Sequence, residues 1–268
     1  MVNTRMFEVA SALKRKMRAR EPVVGTWITL GHAGIAEMLA DAGFDWIVVD
    51  MEHSAIGIDT AADLIRTISL SGGVPLVRMP DQSPTLIKRV MDAGAAGVVV
   101  PNVRTAQEAA SVVSAVRYPS AGTRGVGLAR AQEYGLGFEE YKAWQADHSI
   151  VLVMIEHIDA IADIGAICAT QGIDGVFVGP YDLSGSIGKP GSLTDPDVEA
   201  AVARVTQAAE HAGISAGYHV VPRDPSQVVA RIAQGFNFVG YTLDSIMLAE
   251  TFREHLSQIR DGMEGGTS

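Results

Sequence analysis

Several short apolar runs in this sequence end abruptly in side chains that carry charge or titrate near neutral pH. In the stretch DWIVVDMEHS, for example, the apolar residues 46–49 are followed by Asp50, Glu52 and His53. Acids of this kind can bind a hard cation, an arginine can hold an oxyanion, and a histidine can move a proton. The residues placed in this way along the chain are Asp50, Glu52, His53, Arg78, Glu156, His157, Asp182 and His219.

Glu156 and Asp182 follow two consecutive apolar runs and are the candidate metal ligands. Their carboxylates could share one divalent cation, with water or substrate oxygens as its remaining ligands. The alternative is that each acid caps a helix or pairs with an arginine. The loop that contains Asp182, GPYDLSGSIG, is rich in small residues, which lets backbone N–H groups approach an anion closely. This loop is therefore a candidate binding site for a carboxylate ligand.

Arg78 and His53 supply the two other groups that such chemistry needs. A guanidinium directly after a strand offers a planar fork for a substrate oxyanion, although a structural salt bridge to Asp50 or Glu52 is the alternative. His53 is the candidate base because the unperturbed pKa of histidine lies near neutrality. Asp50 could orient His53 across a short turn, whereas Asp92 could reach it only from a neighbouring subunit.

A cation, a cationic fork, a base and an anion-binding loop together suit abstraction of a proton next to a carbonyl group. The negative charge that develops on a 2-oxo acid would face both the cation and Arg78, which stabilises the enolate. Cleavage or formation of a carbon–carbon bond can follow from that enolate.

These groups must be held by elements that the apolar runs define. Eight runs alternate with helical patterns that have apolar residues at i, i+3 and i+4 spacing. Alternation of this kind predicts parallel strands that are covered on both faces, and eight units without a linker favour a single (β/α)8 TIM barrel over an open doubly wound sheet. In such barrels the chemistry lies at the carboxyl ends of the strands. The runs are residues 23–30, 46–49, 75–77, 97–100, 150–155, 175–178, 214–218 and 236–241.

The rest of the chain adds little to this barrel. We predict one domain over residues 1–268, with an extra N-terminal helix at 7–18, an added segment after Asp244 and a flexible tail at 263–268. The single cysteine, Cys168, excludes a disulfide framework within the chain and is expected in the core.

Composition narrows the classes of partner. The chain has 268 residues, 47% of them hydrophobic and 19% charged, and a formal net charge of −10. The negative charge disfavours nucleic acid and anionic membranes, and no apolar run approaches the roughly 20 residues of a membrane span. Its N-terminus is too polar for a signal peptide. We therefore expect a cytoplasmic protein whose partners are small molecules or further copies of the same chain.

Six motifs that occur in order along the chain resemble those of the HpcH/HpaI class II aldolases: DMEHS, VPLVRMP, DAGAAGVVVPNV, YPSAGTRGVG, MIEH and GPYDLSGSIGKPG. The resemblance covers nearly the whole chain. It implies a metal-dependent aldolase that uses Mg²⁺, Mn²⁺ or Co²⁺ and joins or splits a 2-oxo acid, pyruvate or hydroxypyruvate, and an aldehyde. It also implies a hexamer with an exchanged C-terminal helix.

The resemblance assigns roles to individual residues. It implies that Glu156 and Asp182 bind the metal, that His53 is the base and that Arg78 steadies the enolate and the aldehyde oxygen. The backbone of Gly179, Pro180 and Tyr181 would hold the substrate carboxylate, and Asp92 would complete a His–Asp pair across subunits. Two residues depart from the family pattern: Met154 stands where glutamine is usual, and His157 where a smaller residue is usual.

Other functions remain to be weighed. A Schiff-base aldolase needs a lysine at the carboxyl end of a strand, and none of the five lysines directly ends a predicted strand. A phosphate-binding barrel would have a Gly-rich loop after strands seven and eight, where this chain has HVVPRDPS and YTLDS. A CoA-ester lyase of the citrate lyase β-subunit type is the nearest enzymatic alternative, and a non-catalytic barrel that binds a 2-oxo acid is the other.

Overall fold

Eight parallel strands close into one barrel, which confirms the predicted (β/α)8 fold. The structure is a computed structural model that describes residues 4–265 of the chain. Each strand pairs with the next one along the chain, and the last pairs with the first. The strands are β1 (Val23–Ile28), β2 (Trp46–Asp50), β3 (Pro75–Arg78), β4 (Gly97–Val100), β5 (Ile150–Ile155), β6 (Gly175–Val178), β7 (Ser215–Val220) and β8 (Phe238–Leu243).

Helices connect these strands and extend the chain at both ends. Several begin at the sequence signals expected of helix starts; Ser83 and Asp195, for example, cap helices that have proline at the first position. Within residues 4–265 the helices are α1 (Thr4–Arg18), α2 (Ala33–Asp41), α3 (Ile58–Leu70), α4 (Pro84–Asp92), α5 (Ala106–Val116), α6 (Phe138–His148), α7 (Ile158–Ala162), α8 (Ile164–Cys168), α9 (Pro180–Ser186), α10 (Pro196–Ala212), α11 (Pro225–Ala233) and α12 (Asp244–Gly265), with a 3₁₀ helix at Arg130–Gly135.

The barrel interior is filled by large aromatic side chains that lie against glycines on neighbouring strands. A Cβ atom at Gly25 would lie 2.0 Å from the ring of Trp46, and one at Gly217 would lie 2.3 Å from the ring of Phe177. Trp46 in turn stacks on Phe238 with ring centroids 4.3 Å apart. These glycines therefore leave the space that the rings occupy, and the rings form a floor beneath the carboxyl ends of the strands.

The observed strand ends differ from the predicted ones where polar residues enter the barrel. Asp50 and Arg78 are the last residues of β2 and β3, and His219 lies within β7 rather than after it. The apolar run stops at His219, but the strand continues because a barrel position near the mouth can accommodate a polar side chain.

The two chain ends are helical, as far as the structure describes them. The predicted N-terminal helix is confirmed and begins three residues earlier, at Thr4. Helix α12 continues to Gly265, into the segment 263–268 that is predicted to be a flexible tail, and residues 266–268 lie outside the described part. Cys168 is buried as expected, and burial raises the pKa of its thiol to about 12. Among residues 4–265, no helix is long and apolar enough to cross a membrane.

Candidate active site

A cavity of about 420 Å³ opens at the carboxyl ends of the strands and collects most of the predicted site residues. It is lined by side chains and backbone from β1, β2, β3 and β5 to β8 and from the loops that follow them, as the barrel fold requires. The lining residues are Thr29, Asp50, His53, Arg78, Met154, Glu156, Gly179, Pro180, Tyr181, Asp182, His219, Val221, Leu243 and Ser245.

Arg78 and Asp50 form a buried ion pair at the ends of two adjacent strands. Their backbones are paired across β2 and β3, so the side chains leave the sheet together. Nε of Arg78 donates to Oδ1 of Asp50 at 2.9 Å and Nη2 donates to Oδ2 at 2.5 Å. Burial raises the pKa of Asp50, but the hydrogen bonds and charge of Arg78 outweigh burial and hold that pKa below its usual value. The salt bridge considered as an alternative role for Arg78 is therefore present.

That ion pair still leaves one end of the guanidinium for a ligand. Nη1 of Arg78 donates to no residue within the described range, and the side chain lines the cavity. The guanidinium also lies over the ring of Trp27, 4.6 Å from its centroid. Because Asp50 and Trp27 fix two sides of the guanidinium, its remaining side is held in one orientation at the cavity.

The turn after β2 is organised by the same aspartate. Oδ1 of Asp50 accepts hydrogen bonds from the backbone N–H groups of Glu52 (3.0 Å) and His53 (3.2 Å). Asp50 thus positions the backbone of His53, and no described hydrogen bond joins its carboxylate to the imidazole ring. The His53 side chain is 60% exposed, and its Nε2 lies 3.9 Å from Oε2 of Glu52.

Glu156 is held at the other side of the cavity by backbone atoms. Its Oε2 accepts a hydrogen bond from the backbone N–H of Asn102 at 2.8 Å, on the loop after the neighbouring strand β4. Gly179 makes room for it, since a Cβ atom there would lie 2.6 Å from Oε1 of Glu156. Asp182 lies in the first turn of α9 and lines the same cavity.

The charges around the cavity suit a divalent cation. Four carboxylates, those of Asp50, Glu52, Glu156 and Asp182, are accompanied by the single guanidinium of Arg78. Oε2 of Glu52 is buried and accepts no hydrogen bond from any residue in 4–265. A hard cation would compensate this excess of negative charge, and the donors present are the oxygen ligands that such a cation prefers.

Two carboxylates are enough for one kind of cation site. Over the described range, no group of three or more His, Cys, Asp and Glu side chains is arranged to hold a metal ion. Mg²⁺ is commonly bound by one or two carboxylates together with water and substrate oxygens. Asp50 is hydrogen-bonded to Arg78, and Oε2 of Glu52 lies 3.5 Å from Nε of Arg78. The other two acids of this set, Glu156 and Asp182, form no ion pair with an arginine in residues 4–265, and they fit this description.

Burial and mutual electrostatic repulsion raise the pKa of two of these acids, Glu156 and Glu52. Burial, with the charges of Glu52 and Asp182, raises the pKa of Glu156 to about 7. Burial, with the charges of Asp50 and Asp182, likewise raises the pKa of Glu52 to about 7, although Arg78 opposes this. Both groups therefore resist holding a negative charge unless a cation is nearby.

We expect metal affinity to depend steeply on pH below neutrality. A carboxylate must lose its proton to bind a cation, and Glu156, with a pKa near 7, is mostly protonated at pH 6. The affinity for Mn²⁺ should therefore rise about fivefold from pH 6 to pH 7 and about twofold more by pH 8, and then level off. Calorimetric titrations between pH 6 and pH 8 measure this, and an affinity that does not change over that range would contradict it.

We also expect Gly179→Ala to weaken metal binding, because the new methyl group would displace the Glu156 carboxylate. Disturbing the support of a metal ligand typically costs about 10- to 100-fold in affinity. Gly185→Ala is the matched control, since Gly185 lies in α9, the helix that Gly179 caps, and a Cβ atom there would contact nothing within 4 Å. Titration with Mn²⁺ compares the two variants, and equal affinities would show that Gly179 does not shape the site.

The predicted carboxylate-binding segment, Gly179–Tyr181, offers fewer donors than its length suggests. The N–H of Gly179 donates to Ile155 O at 3.3 Å, and Pro180 has no N–H. The N–H of Tyr181 has no backbone acceptor within the described residues, because the first hydrogen bond of this helix is from Leu183 to Gly179. A carboxylate would therefore depend chiefly on Tyr181 N–H at this segment.

Asp92 and His157 lie apart from the cavity in this chain. Asp92 ends α4 and its Oδ1 accepts from Nη2 of Arg124 at 2.5 Å, so it has no contact with His53 here. His157 caps α7, and its Nδ1 accepts from the N–H of Asp159 at 3.2 Å. His219 does line the cavity, as does Met154, which is buried.

The sequence reasoning did not assign roles to some residues that support the site. Trp27 lies under Arg78 and Asn102 holds Glu156. Trp27 lies within an apolar run rather than after it, and Asn102 follows a run but carries no charge. Asn102 has a positive φ of 56°, which asparagine tolerates better than most residues, and the PN pair after β4 was the available signal. Glu52 was recognised as a strand-end acid, but the lack of a hydrogen bond to its buried Oε2 within the described residues was not foreseen.

Comparison with known proteins agrees with this arrangement. The family model described as HpcH/HpaI aldolase/citrate lyase matches residues 23–250. The chain is 36% identical over 262 residues to a hydroxypyruvate/pyruvate aldolase of Paraburkholderia phytofirmans, which covers 95% of this chain and 100% of that protein. It is 34% identical over 259 residues to a 2-keto-3-deoxy-L-rhamnonate aldolase of Escherichia coli K12, covering 96% of each.

A solved structure extends the agreement to the fold. The crystal structure of a HpcH/HpaI aldolase/citrate lyase family protein from Burkholderia cenocepacia superposes with a TM-score of 0.89 at 34% identity, covering 93% of this chain and 99% of that one. With a family model that spans most of the chain and relatives of this identity over more than nine-tenths of its length, the chain belongs to the HpcH/HpaI aldolase/citrate lyase family.

Proposed function

We propose that the protein is a class II aldolase that joins or splits a 2-oxo acid donor, pyruvate or hydroxypyruvate, and an aldehyde. The observation that carries the proposal is that Arg78, His53, Glu156 and Asp182 line one cavity at the carboxyl ends of the strands. The similarity to proteins named as pyruvate and 2-keto acid aldolases supports the same activity.

A divalent cation held by Glu156 and Asp182 would act as a Lewis acid on the 2-oxo group of the donor. Aldolases of this family generally depend on such a cation, and Mg²⁺, Mn²⁺ and Co²⁺ are the candidates here. The chain's own contribution is to position the donor: Tyr181 N–H is available for its carboxylate, and Nη1 of Arg78 for an oxygen that gains negative charge. His53 at the rim takes or returns the proton of the donor's C3 carbon.

The test is a screen of aldehydes against pyruvate and hydroxypyruvate, with each of the three cations and with a chelator. We expect turnover with the cations and none after exhaustive chelation; full activity in the chelated protein would contradict the mechanism. Malyl-CoA and citramalyl-CoA belong in the same screen, because cleavage of these thioesters alone would favour the CoA-ester lyase. Binding of 2-oxo acids without turnover of any substrate would favour the non-catalytic barrel.

A Schiff-base mechanism finds no support in the positions of the lysines. Lys14 is buried, which is the environment such a lysine needs, but it pairs with Asp174 at 3.0 Å and donates to the carbonyl of Ser149. Those two residues immediately precede β6 and β5. Lys14 is therefore at the amino ends of the strands, opposite the cavity.

We expect His53→Ala to slow exchange of the pyruvate methyl protons with solvent by at least about tenfold, because general bases contribute about 10²- to 10⁴-fold. Deuterium incorporation followed by NMR measures this without an aldehyde. His157→Asn is the control: it also follows a strand, it lies outside the cavity, and asparagine keeps the helix cap. Unchanged exchange in His53→Ala would remove His53 from the role of base.

We further propose that the protein is a homo-oligomer, with the hexamer and the exchanged helix implied by the family resemblance. Supporting this, α12 has apolar side chains at i, i+3 and i+4 spacing that are exposed in the single chain, with Phe252 70% exposed. Such a row is usually covered by another surface. A neighbouring subunit would also have to supply Asp92 if it is to pair with His53. The exposed members of the row are Leu248, Phe252, Leu256, Ile259 and Met263.

A further inference from the structure

His219 occupies a fixed position at the cavity that the proposed reaction does not use. Its ring lies beside that of Trp27, with centroids 5.1 Å apart, and its Nε2 lies 3.0 Å from the carbonyl oxygen of Thr242. Gly240 leaves room for it, since a Cβ atom there would lie 3.3 Å from Cδ2 of His219. One edge of the imidazole, the edge with Nε2 and Cδ2, is therefore turned toward β8.

The backbone of β8 is distorted where it meets this ring. The register between β1 and β8 shifts from Gly25–Gly240 to Trp27–Leu243, which inserts one extra residue into β8. Thr242, in the inserted stretch, has a φ of 46°, a conformation that β-branched residues rarely adopt. Bulges at barrel rims commonly re-aim a group next to an active site, and here the re-aimed group is the carbonyl that receives His219.

This hydrogen bond fixes the tautomer of the ring. A carbonyl oxygen can only accept, so Nε2 of His219 must carry the proton. Burial, together with the positive charge of Arg78, lowers the pKa of His219 to about 4, so the ring is neutral. Nδ1 therefore has a free lone pair and is a hydrogen-bond acceptor, and no residue in the described range donates to it.

The neighbours of Nδ1 indicate what it can bind. His219 lines the cavity together with the apolar side chains of Met154, Val221 and Leu243. A neutral acceptor would repel a carboxylate and gives no advantage to a methyl group, whereas a hydroxyl group can donate to it. His53, the second histidine of the lining, lies at the rim with its side chain 60% exposed, so His219 is the buried imidazole of the cavity.

We propose that Nδ1 of His219 accepts a hydrogen bond from a hydroxyl group of the substrate, and so makes the site prefer hydroxyl-bearing substrates over their deoxy analogues. The proposal rests on the function proposed above. The hydroxyl group belongs either to the donor, as at C3 of hydroxypyruvate, or to the aldehyde, as in glycolaldehyde.

Two substitutions distinguish the roles of the two ring nitrogens. His219→Gln keeps a donor that can reach Thr242 O but leaves no acceptor at the position of Nδ1, whereas His219→Asn places an amide near that position. The substrate pairs are hydroxypyruvate against pyruvate, and glycolaldehyde against acetaldehyde. We expect His219→Gln to lower the kcat/KM preference for the hydroxylated member of one pair by about three- to tenfold, the worth of one neutral hydrogen bond, and His219→Asn to retain more of it.

The pair that responds identifies the source of the hydroxyl group. Unchanged preferences in both pairs, in a folded His219→Gln protein, would overturn the proposal. Calorimetric binding of the same four ligands in the presence of Mg²⁺ supplies a readout that needs no turnover. If the wild-type protein turns over nothing yet binds the hydroxylated ligand more tightly, and His219→Gln abolishes that difference, the proposed function fails while the role of His219 stands. Equal binding of all pairs by both proteins would exclude that role.

Discussion

Replacing Glu156 with glutamine, or Asp182 with asparagine, should abolish aldol turnover by weakening the binding of the divalent cation. Removing outer residues that support a metal ligand costs about 10- to 100-fold in affinity, so loss of a ligand itself should cost at least about 100-fold. Titration with Mn²⁺ followed by electron paramagnetic resonance measures this affinity, and steady-state kinetics measure the activity.

The Glu156→Gln protein should fold normally, so a loss of metal binding and turnover in this variant could not be attributed to misfolding. The glutamine oxygen can still accept the N–H of Asn102. Because burial and nearby acids raise the pKa of Glu156, the charged carboxylate is unfavourable in the metal-free protein at neutral pH, and a neutral side chain removes that cost. The midpoint temperature of thermal unfolding, measured without metal, should therefore be unchanged or higher than that of the wild type.

Asp159→Asn is the matched control for both variants. Asp159 follows the same strand as Glu156, but its side chain is 66% exposed and contacts His157 and Arg104. Its removal should leave metal affinity and turnover within about twofold of the wild type, as expected of an exposed ion pair. Wild-type Mn²⁺ affinity in the Glu156→Gln or Asp182→Asn protein would show that the cation is held elsewhere.

Much of the barrel was predictable because its determinants are local in the sequence. Strands buried on both faces require continuous apolar runs, and the runs of this chain occur at the spacing of a strand–helix repeat. The candidate residues Asp50, Arg78, Glu156 and Asp182 were found for a related reason: a charged group at the end of such a run must lie at the mouth. Topology alone then placed them in one cavity.

The partners of these residues could not be predicted, because they are set by contacts between distant segments. The sequence allowed Arg78 to bind either a substrate or Asp50, and only the register between β2 and β3 shows that both groups leave the sheet side by side. The positive φ of Thr242 likewise could not be predicted from the residue type, since threonine normally favours extended backbone. That conformation orients the Thr242 carbonyl that accepts from Nε2 of His219, and this hydrogen bond leaves Nδ1 as the acceptor.

Arg78→Met should have the second large effect, on stability and on catalysis together. Asp50 is 1% exposed and would remain as an unpaired buried carboxylate, which typically costs about 3–5 kcal/mol of unfolding free energy. Loss of a charge aimed at a developing oxyanion costs about 10²- to 10³-fold in kcat. Chemical denaturation and steady-state kinetics measure the two effects. Arg66→Met, which breaks the exposed pair with Asp63, should cost less than about 1 kcal/mol.

The double variant Asp50→Asn/Arg78→Met separates the two roles of the arginine. The asparagine oxygen can still accept the N–H groups of Glu52 and His53, so the turn after β2 should persist, while the buried charge of residue 50 is gone. Most of the lost stability should therefore return, because the cost of the single variant comes from the orphaned carboxylate rather than from the missing pair. Turnover should not return, because no cation faces the substrate oxygen. If activity recovers together with stability, Arg78 acts only by balancing Asp50, and its proposed contact with the substrate is wrong.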